Sequence, residues 1–323
     1  MEQNQPKVYI IVLNYVSWQD TIECLESLLN LTYQNKEIIV VDNNSPNDSF
    51  FHLTKWAENH LPTFLSLEEK EVPTHPVPDD FGVVFLKAAK NAGFAAGNNL
   101  GIRFALQIND AAYLWLLNND TTVDSNSLRE LVNRAENEGK QEPPVGIWGS
   151  KLLYYHQPSL VQGVGGKLNL RTFTTSHLHE GEPDSEFLNV ASVTLDYVMG
   201  ASLFVSRKFL SEVGLLSEDY FLYFEELDWA KRAQNAGFAL GYVWSSRVYH
   251  KEGTTIGSSS SGTEKSDLAD YHGIRSKIIF FKKFYPEKAF QLYALLMASA
   301  LLRVSRLQFK RALTVFKQIA QFK

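Results

Sequence analysis

At 323 residues, with 45% hydrophobic and 21% charged side chains, the chain can bury a large core and has neither a disordered nor a fibrous composition. A formal charge of −5 argues against nucleic acid as a bulk partner, and the single cysteine, Cys24, excludes an intrachain disulfide. The start MEQNQPKVYI lacks a basic segment followed by a long apolar run, so the expectation is a chain without a secretory signal that works in the cytoplasm.

The run Val8 to Leu13 is continuous, rich in β-branched residues, and stops at Asn14-Tyr15, as a strand buried on both faces of a parallel sheet would. From Asp20 to Asn30, Ile22, Leu25, Leu28 and Leu29 recur at helical spacing, with Cys24 as a helix core residue. Glu37 to Val41 predicts a second buried strand ending at Asp42, so the unit is a right-handed crossover. The turn formers Asp42 to Asp48 lead into a helix over Phe51 to Leu65, followed by an acidic, Pro-containing connection over Glu68 to Asp80. Gly82 to Leu86 then reads as a strand, Phe94 to Leu106 as a helix, and Tyr113 to Leu117 as a strand ending at Asn118-Asn119-Asp120. Such alternation predicts an α/β fold with an open, mostly parallel sheet flanked by helices.

Beyond Pro144 the pattern loosens into shorter strands, Val145 to Trp148, Ser202 to Val205 and Tyr242 to Trp244, as in a mixed sheet. The Ser/Gly-rich tract Gly253 to Gly262 reads as a flexible loop, with helices after it. Three polar clusters, at Asn14, Asp42 and Asp120, fall at the C-terminal ends of strands, the edge where open α/β sheets bind ligands.

Four clusters could carry chemistry. Asp120, among Asn118, Asn119 and Asp124, offers oxygen to a hard cation such as Mg2+ or Mn2+ on a diphosphate, although the segment taken alone reads sooner as a turn before a helix cap. Asp42 suits hydrogen bonds from a base or ribose, or a plain turn. Asn91 to Asn99 is a glycine-containing loop opening a helix, where Gly93 and Gly97 permit close approach of a ligand, although it lacks the dinucleotide fingerprint. In Phe221 to Trp229, the carboxylates Glu225, Glu226 and Asp228 sit among aromatic residues; burial and crowding would raise one toward general-base range, and an acidic first helical turn explains them as well. His250 is a candidate metal ligand or a structural imidazole, and Arg275 and Lys277 are phosphate contacts or solvated charges.

Taken in this order, the strand ending at Asn14, VVDNNS, N-x-G-F-x-x-G-x-N, LLNND, MGAS from Met199, FEELDW and His250 resemble the GT-A fold of the large inverting family-2 glycosyltransferases, which includes bacterial rhamnosyltransferases. The resemblance covers roughly residues 7 to 285 and rests on the joint pattern. It implies a nucleotide-diphospho-sugar donor, with dTDP-rhamnose ahead of UDP-sugars, and a saccharide or lipid-linked saccharide acceptor, in cell-surface polysaccharide synthesis. It implies that Leu13, Asn14, Tyr15, Asp42, Asn43 and Asn44 hold the nucleoside and that Asn91, Gly93 and Asn98 line the donor pocket. Asn118-Asn119-Asp120 stands at the D-x-D position with the first carboxylate replaced by Asn118, so Asp120 is the direct carboxylate ligand and His250 the histidine ligand. The general base falls on Glu226, with Glu225 as runner-up. A sugar-nucleotide nucleotidyltransferase would show a glycine-rich basic loop where Asn14 to Trp18 stands; a non-catalytic sugar-binding module is disfavoured by Asp120, Glu226 and His250.

The division expected is a catalytic body over 1–265, with a nucleotide-sugar half to 125 and an acceptor half from 126, then a basic helical appendage over 266–323. From Tyr271 onward the only acid is Glu287, and Leu292, Leu295, Leu296, Leu302 and Val304 alternate with Arg303, Arg306, Lys310, Arg311 and Lys317. That mixture fits a helix lying on anionic lipid at the inner face of the membrane, and equally one packed on the catalytic body or on a homodimer partner. No segment is long and apolar enough to span.

Overall fold

The computed structural model describes residues 5–74, 81–185, 194–251 and 266–321, so the expected loop at Gly253 to Gly262 lies outside the described residues. In chain order the elements are β1 (Val8–Asn14), α1 (Trp18–Leu29), β2 (Lys36–Asp42), α2 (Ser49–His60), β3 (Leu65–Glu68), β4 (Val83–Lys87), α3 (Phe94–Ile108), β5 (Tyr113–Asn118), β6 (Thr121–Val123) and α4 (Ser127–Glu138). There follow β7 (Val145–Tyr154), β8 (Gln157–Gly163), β9 (Gly166–Asn169), β10 (Thr174–His177), β11 (Ser202–Ser206), α5 (Arg207–Val213), α6 (Glu225–Asn235), β12 (Ala239–His250), α7 (Asp267–Phe284), α8 (Ala289–Ser305) and α9 (Phe309–Gln321).

Strand β1 lies between β2 and β5, all parallel, inside a ten-stranded sheet of order β3-β4-β2-β1-β5-β11-β7-β12-β6, with β8 paired to β7. Its alternating residues serve opposite faces. Val8, Ile10 and Val12 join a core with Leu25 and Leu28 of α1, Leu53 of α2 and Leu128 of α4. Tyr9 and Ile11 point to the other core, with Phe104 of α3, Phe209 of α5 and Trp229 of α6. A strand covered by helices on both sides needs apolar residues at every position, which is why β1 reads as an unbroken run. Antiparallel β11 bridges β5 to β7, so one sheet joins the strands of the first part of the chain to those of the second.

Three expectations on extent change. The second helix stops at His60, because Leu61 precedes Pro62 and is held extended, and the chain then forms the short edge strand β3. Strand β7 continues past Trp148 to Tyr154 because Lys151, fully buried in mid-strand, is neutralised by Asp184 at 2.5 Å. Strand β12 spans twelve residues rather than three: its polar Ser245 and Ser246 sit at a register shift and are satisfied by Glu130 and Ser150 at 2.7 and 2.8 Å. This longer strand carries His250 to the ligand edge of the sheet.

Helices α7 to α9 pack onto the rest of the fold through a third core, where Ile278, Phe281, Leu292, Leu296 and Val315 meet Phe173, Tyr197, Phe224 and Leu227. The packed reading of the tail therefore holds for its inward face. Among the described residues no helix is long and apolar enough to cross a membrane.

Candidate active site

The register of the parallel strands sets Asn14 beside Asp42 and Leu13 beside Asn118, which brings three distant polar segments to one edge. There, Asn14 Nδ2 donates to Asp42 Oδ1 at 2.7 Å, Thr21 Oγ1 donates to Asn14 Oδ1 at 2.8 Å, and Asn119 Nδ2 donates to Thr21 Oγ1 at 3.0 Å. Ser45 adds its backbone N–H and hydroxyl to the Asp42 carboxylate at 3.0 and 2.6 Å. Buried polar groups that satisfy one another in this way form a scaffold. Asn14 and Asp42 are thus turned into the network, while Leu13, Tyr15, Asn43, Asn118 and Asn119 line the cavity above it. Asn44 is exposed at a φ of 54° and lies outside the lining.

The glycine-containing loop closes one side. Asn91 Oδ1 accepts from the Gly93 N–H at 3.0 Å and from Asn43 Nδ2 at 3.1 Å. Gly93 has a φ of 96°, and a Cβ there would fall 2.3 Å from the Phe221 carbonyl oxygen, so only glycine fits. That approach lets the Phe94 N–H donate to Phe221 at 2.9 Å, tying the donor half to the loop before α6. Asn91 and Gly93 line the cavity; Asn98 does not, because it is buried along α3 with Nδ2 bonded to Phe94 O at 3.0 Å.

Pairing of His250 with Thr121 between β12 and β6 places the imidazole beside Asp120, Nε2 to Oδ1 at 3.2 Å. On the far side of the ring, Nδ1 lies 2.9 Å from Gln162 Oε1, which can only accept, so Nδ1 carries the hydrogen and Nε2 is the nitrogen that faces Asp120. Two electron-rich atoms at that separation call for a cation between them, either a proton or a metal ion. Ligand bonds of about 2.1 Å at right angles would set two donors about 3 Å apart, so the pair fits one Mg2+ or Mn2+. Among the described residues no group of three or more His, Cys, Asp or Glu that could hold a metal ion occurs. Gln162 went unread in the sequence because β8 has only a short apolar stretch, and the strand itself was the missing signal.

Opposite stands the first turn of α6. Tyr223 and Phe224 take φ of 67° and 71°, a conformation that bulky residues adopt only when their surroundings impose it, and this kink aims Glu225 and Glu226 into the cavity. Burial raises both carboxyls: Glu226, still partly open to the cavity, is pushed up to about 7, and Glu225 goes well above the usual range, helped by the charge of Glu226. One oxygen of Glu225, Oε2, has no hydrogen-bond partner among the described residues. Asp228 behaves differently. Arg232 Nε and Lys283 Nζ each reach it at 2.6 Å and Tyr220 Oη at 3.1 Å, so it is saturated beneath the helix and outside the cavity. Its place is that of an anchor for α6 and α7.

The cavity these groups share has a volume of about 1040 Å³ and brings Asp120, His250, Glu225 and Glu226 together, with a far wall from α7 and α8. On that wall Lys277 lines the space, whereas Arg275 stands partly buried outside it.

A mostly parallel sheet with a polar cavity over its strand ends, walled by carboxylates from a second half, is the architecture of the GT-A glycosyltransferases. Residues 8–157 match the model of Glycosyl transferase family 2. In structure it is similar to GalNAc-T7, solved with UDP, GalNAc and Mn2+, at a TM-score of 0.56 and 14% identity, covering 77% of this chain and 44% of that one. It is also similar to the mannosyltransferase PcManGT of Pyrobaculum calidifontis, solved with GDP-Man and Mn2+, at a TM-score of 0.52 and 14% identity, covering 99% and 88%. In sequence it is 23% identical over 232 residues to the low-salt glycan biosynthesis hexosyltransferase Agl10 of Haloferax volcanii, covering 72% of this chain and 63% of the relative. It is 22% identical over 249 residues to the dTDP-rhamnosyl transferase RfbF of Shigella flexneri, covering 76% and 69%.

Proposed function

We propose that the chain is an inverting glycosyltransferase that moves a hexose or deoxyhexose, dTDP-rhamnose being the favoured donor, to a hydroxyl of a saccharide or lipid-linked saccharide in cell-surface polysaccharide synthesis at the cytoplasmic face of the membrane. The observation that carries this is one cavity bounded by the Asp120–His250 pair on one side and the raised Glu226 carboxyl on the other. The kinship with RfbF supports the choice of donor. We assign residues 1–265 to catalysis and 266–323 to a helical appendage that walls the cavity.

Glu226 takes the proton of the acceptor hydroxyl as its oxygen bonds to the anomeric carbon; the bond to the diphosphate oxygen breaks from the opposite side, and the nucleoside diphosphate leaves with the electron pair. One displacement inverts the centre, and no carboxylate nucleophile is needed. Asp120 and His250 would hold the divalent ion, which when bound offsets charge on the departing diphosphate. Gln162 keeps the His250 lone pair directed at that position. Asn43, Asn91 and the Leu13 to Tyr15 turn would receive the nucleoside, and Lys277 is placed for a phosphate.

The test is thermal stabilisation by dTDP, UDP, GDP and their sugars, with and without Mn2+. The expected result is a metal-dependent shift with one nucleotide, lost in Asp120→Ala and weakened about 10- to 100-fold in apparent affinity by Gln162→Leu. Equal shifts with and without metal, unchanged in Asp120→Ala, would remove the metal from the reading.

A further inference from the structure

Helix α8 has two apolar faces. Leu292, Leu296 and Ala300, spaced by four, are buried against α7 and α9. The opposite side carries Phe290, Leu301 and Val304, and the turn into α9 adds Leu307, Phe309 and Leu313; Phe290 is 84%, Leu307 76% and Leu301 58% exposed. From Ala289 to Leu302 the helix has no charged residue, whereas a surface helix in water normally turns a polar face outward. Exposed apolar area of this extent marks a docking surface.

Charge identifies the occupant. Arg306 and Lys317 stand exposed around the apolar strip, and Lys310 and Arg311 flank it while paired to Asp267 at 3.0 and 2.9 Å. Apolar side chains bordered by cations suit the interface of an anionic bilayer, into which a helix of this length sinks along its side. The lip of the cavity borders this face. Leu268 and Leu295 line it and are also exposed, and Leu292 and Leu296 continue its apolar wall inward from them.

We propose that the outer face of α8, with the turn into α9, seats on an anionic lipid bilayer and sets the apolar lip of the cavity at Leu268 and Leu295 against the membrane. A second copy of the chain on this face would cover that lip, whereas a bilayer supplies an amphiphilic acceptor through it. Seating rests on the surface alone; delivery of the acceptor rests on the transfer reading.

The test is sedimentation of the full chain with vesicles of phosphatidylglycerol in phosphatidylcholine, against pure phosphatidylcholine. Binding to the anionic vesicles that weakens with salt is expected, reduced at least about tenfold by the charge pair Arg306→Glu and Lys317→Glu and by the triple change of Phe290, Leu301 and Leu307 to serine. The nucleotide-induced thermal shift serves as control and stays unchanged in both variants, which separates failure of docking from failure of the transfer reading. Wild-type chain left in the supernatant, or vesicle binding indifferent to the triple change, overturns the proposal. So does a dimer in light scattering that the triple change dissociates, since a second copy then covers the face.

Discussion

Two polar regions border the same cavity and are built on opposite plans. At the strand edge, Asn14, Thr21, Asp42, Ser45 and Asn119 are joined by hydrogen bonds into one network. At the start of α6, Glu225 and Glu226 are crowded, raised by burial and carried on two residues of positive φ, and Glu225 Oε2 has no partner among the described residues. Saturated groups hold shape; under-satisfied ones are free to exchange protons. Three residues along the same helix, Asp228 shows that position in a motif does not decide which kind a carboxylate is, for its bonds to Tyr220, Arg232 and Lys283 make it scaffold.

The largest effect expected from this contrast is on transfer. Glu226→Gln keeps the shape and removes the base, so transfer falls about 1000-fold while nucleotide-induced stabilisation persists. Full transfer by this variant would strike Glu226 from the mechanism, and a deeper loss in Glu225→Gln would move the base one residue. Asp228→Ala inverts the pattern. Leaving Arg232 and Lys283 without their shared carboxylate costs about 3 kcal/mol in urea unfolding, with a smaller effect on turnover of the protein that stays folded. Unchanged stability would mean that Asp228 is not an anchor.

Much of the first half was legible because β1, β2 and β5 are buried on both faces and must be apolar throughout. The second half hid its strands behind compensated exceptions: Lys151 needs Asp184, and Ser246 needs Ser150, partners that no local pattern reveals. The same holds at the site. Asp120, Glu226 and His250 were readable as candidates, but the inward turn of Asp42 depends on Asn14 and Ser45, and the role of Gln162 on a strand whose polar start masks it. Of Arg275 and Lys277 only one could face the cavity, since two residues on a helix diverge by about 200°. Which one was a question of how α7 packs.

The finest test of the contrast is pH, because burial displaces both carboxyls at the start of α6 upward. As a base Glu226 acts when deprotonated, so transfer should climb with pH through about 7 and level off above, falling about tenfold per unit on the acid side. Stability should move the other way. With its carboxyl raised above the ordinary value near 4.5, the folded protein holds a proton that the unfolded chain has already released. The resulting stabilisation is complete below the unfolded value and declines as pH rises through about 7. Glu226→Gln should flatten that decline, leaving a difference from wild type that grows with pH; urea midpoints measured from pH 5 to 8 would read it. A wild-type midpoint that rises across this range by the same amount in both proteins would show that Glu226 is an ordinary solvated carboxylate, and the distinction between the two regions would then rest on hydrogen bonding alone.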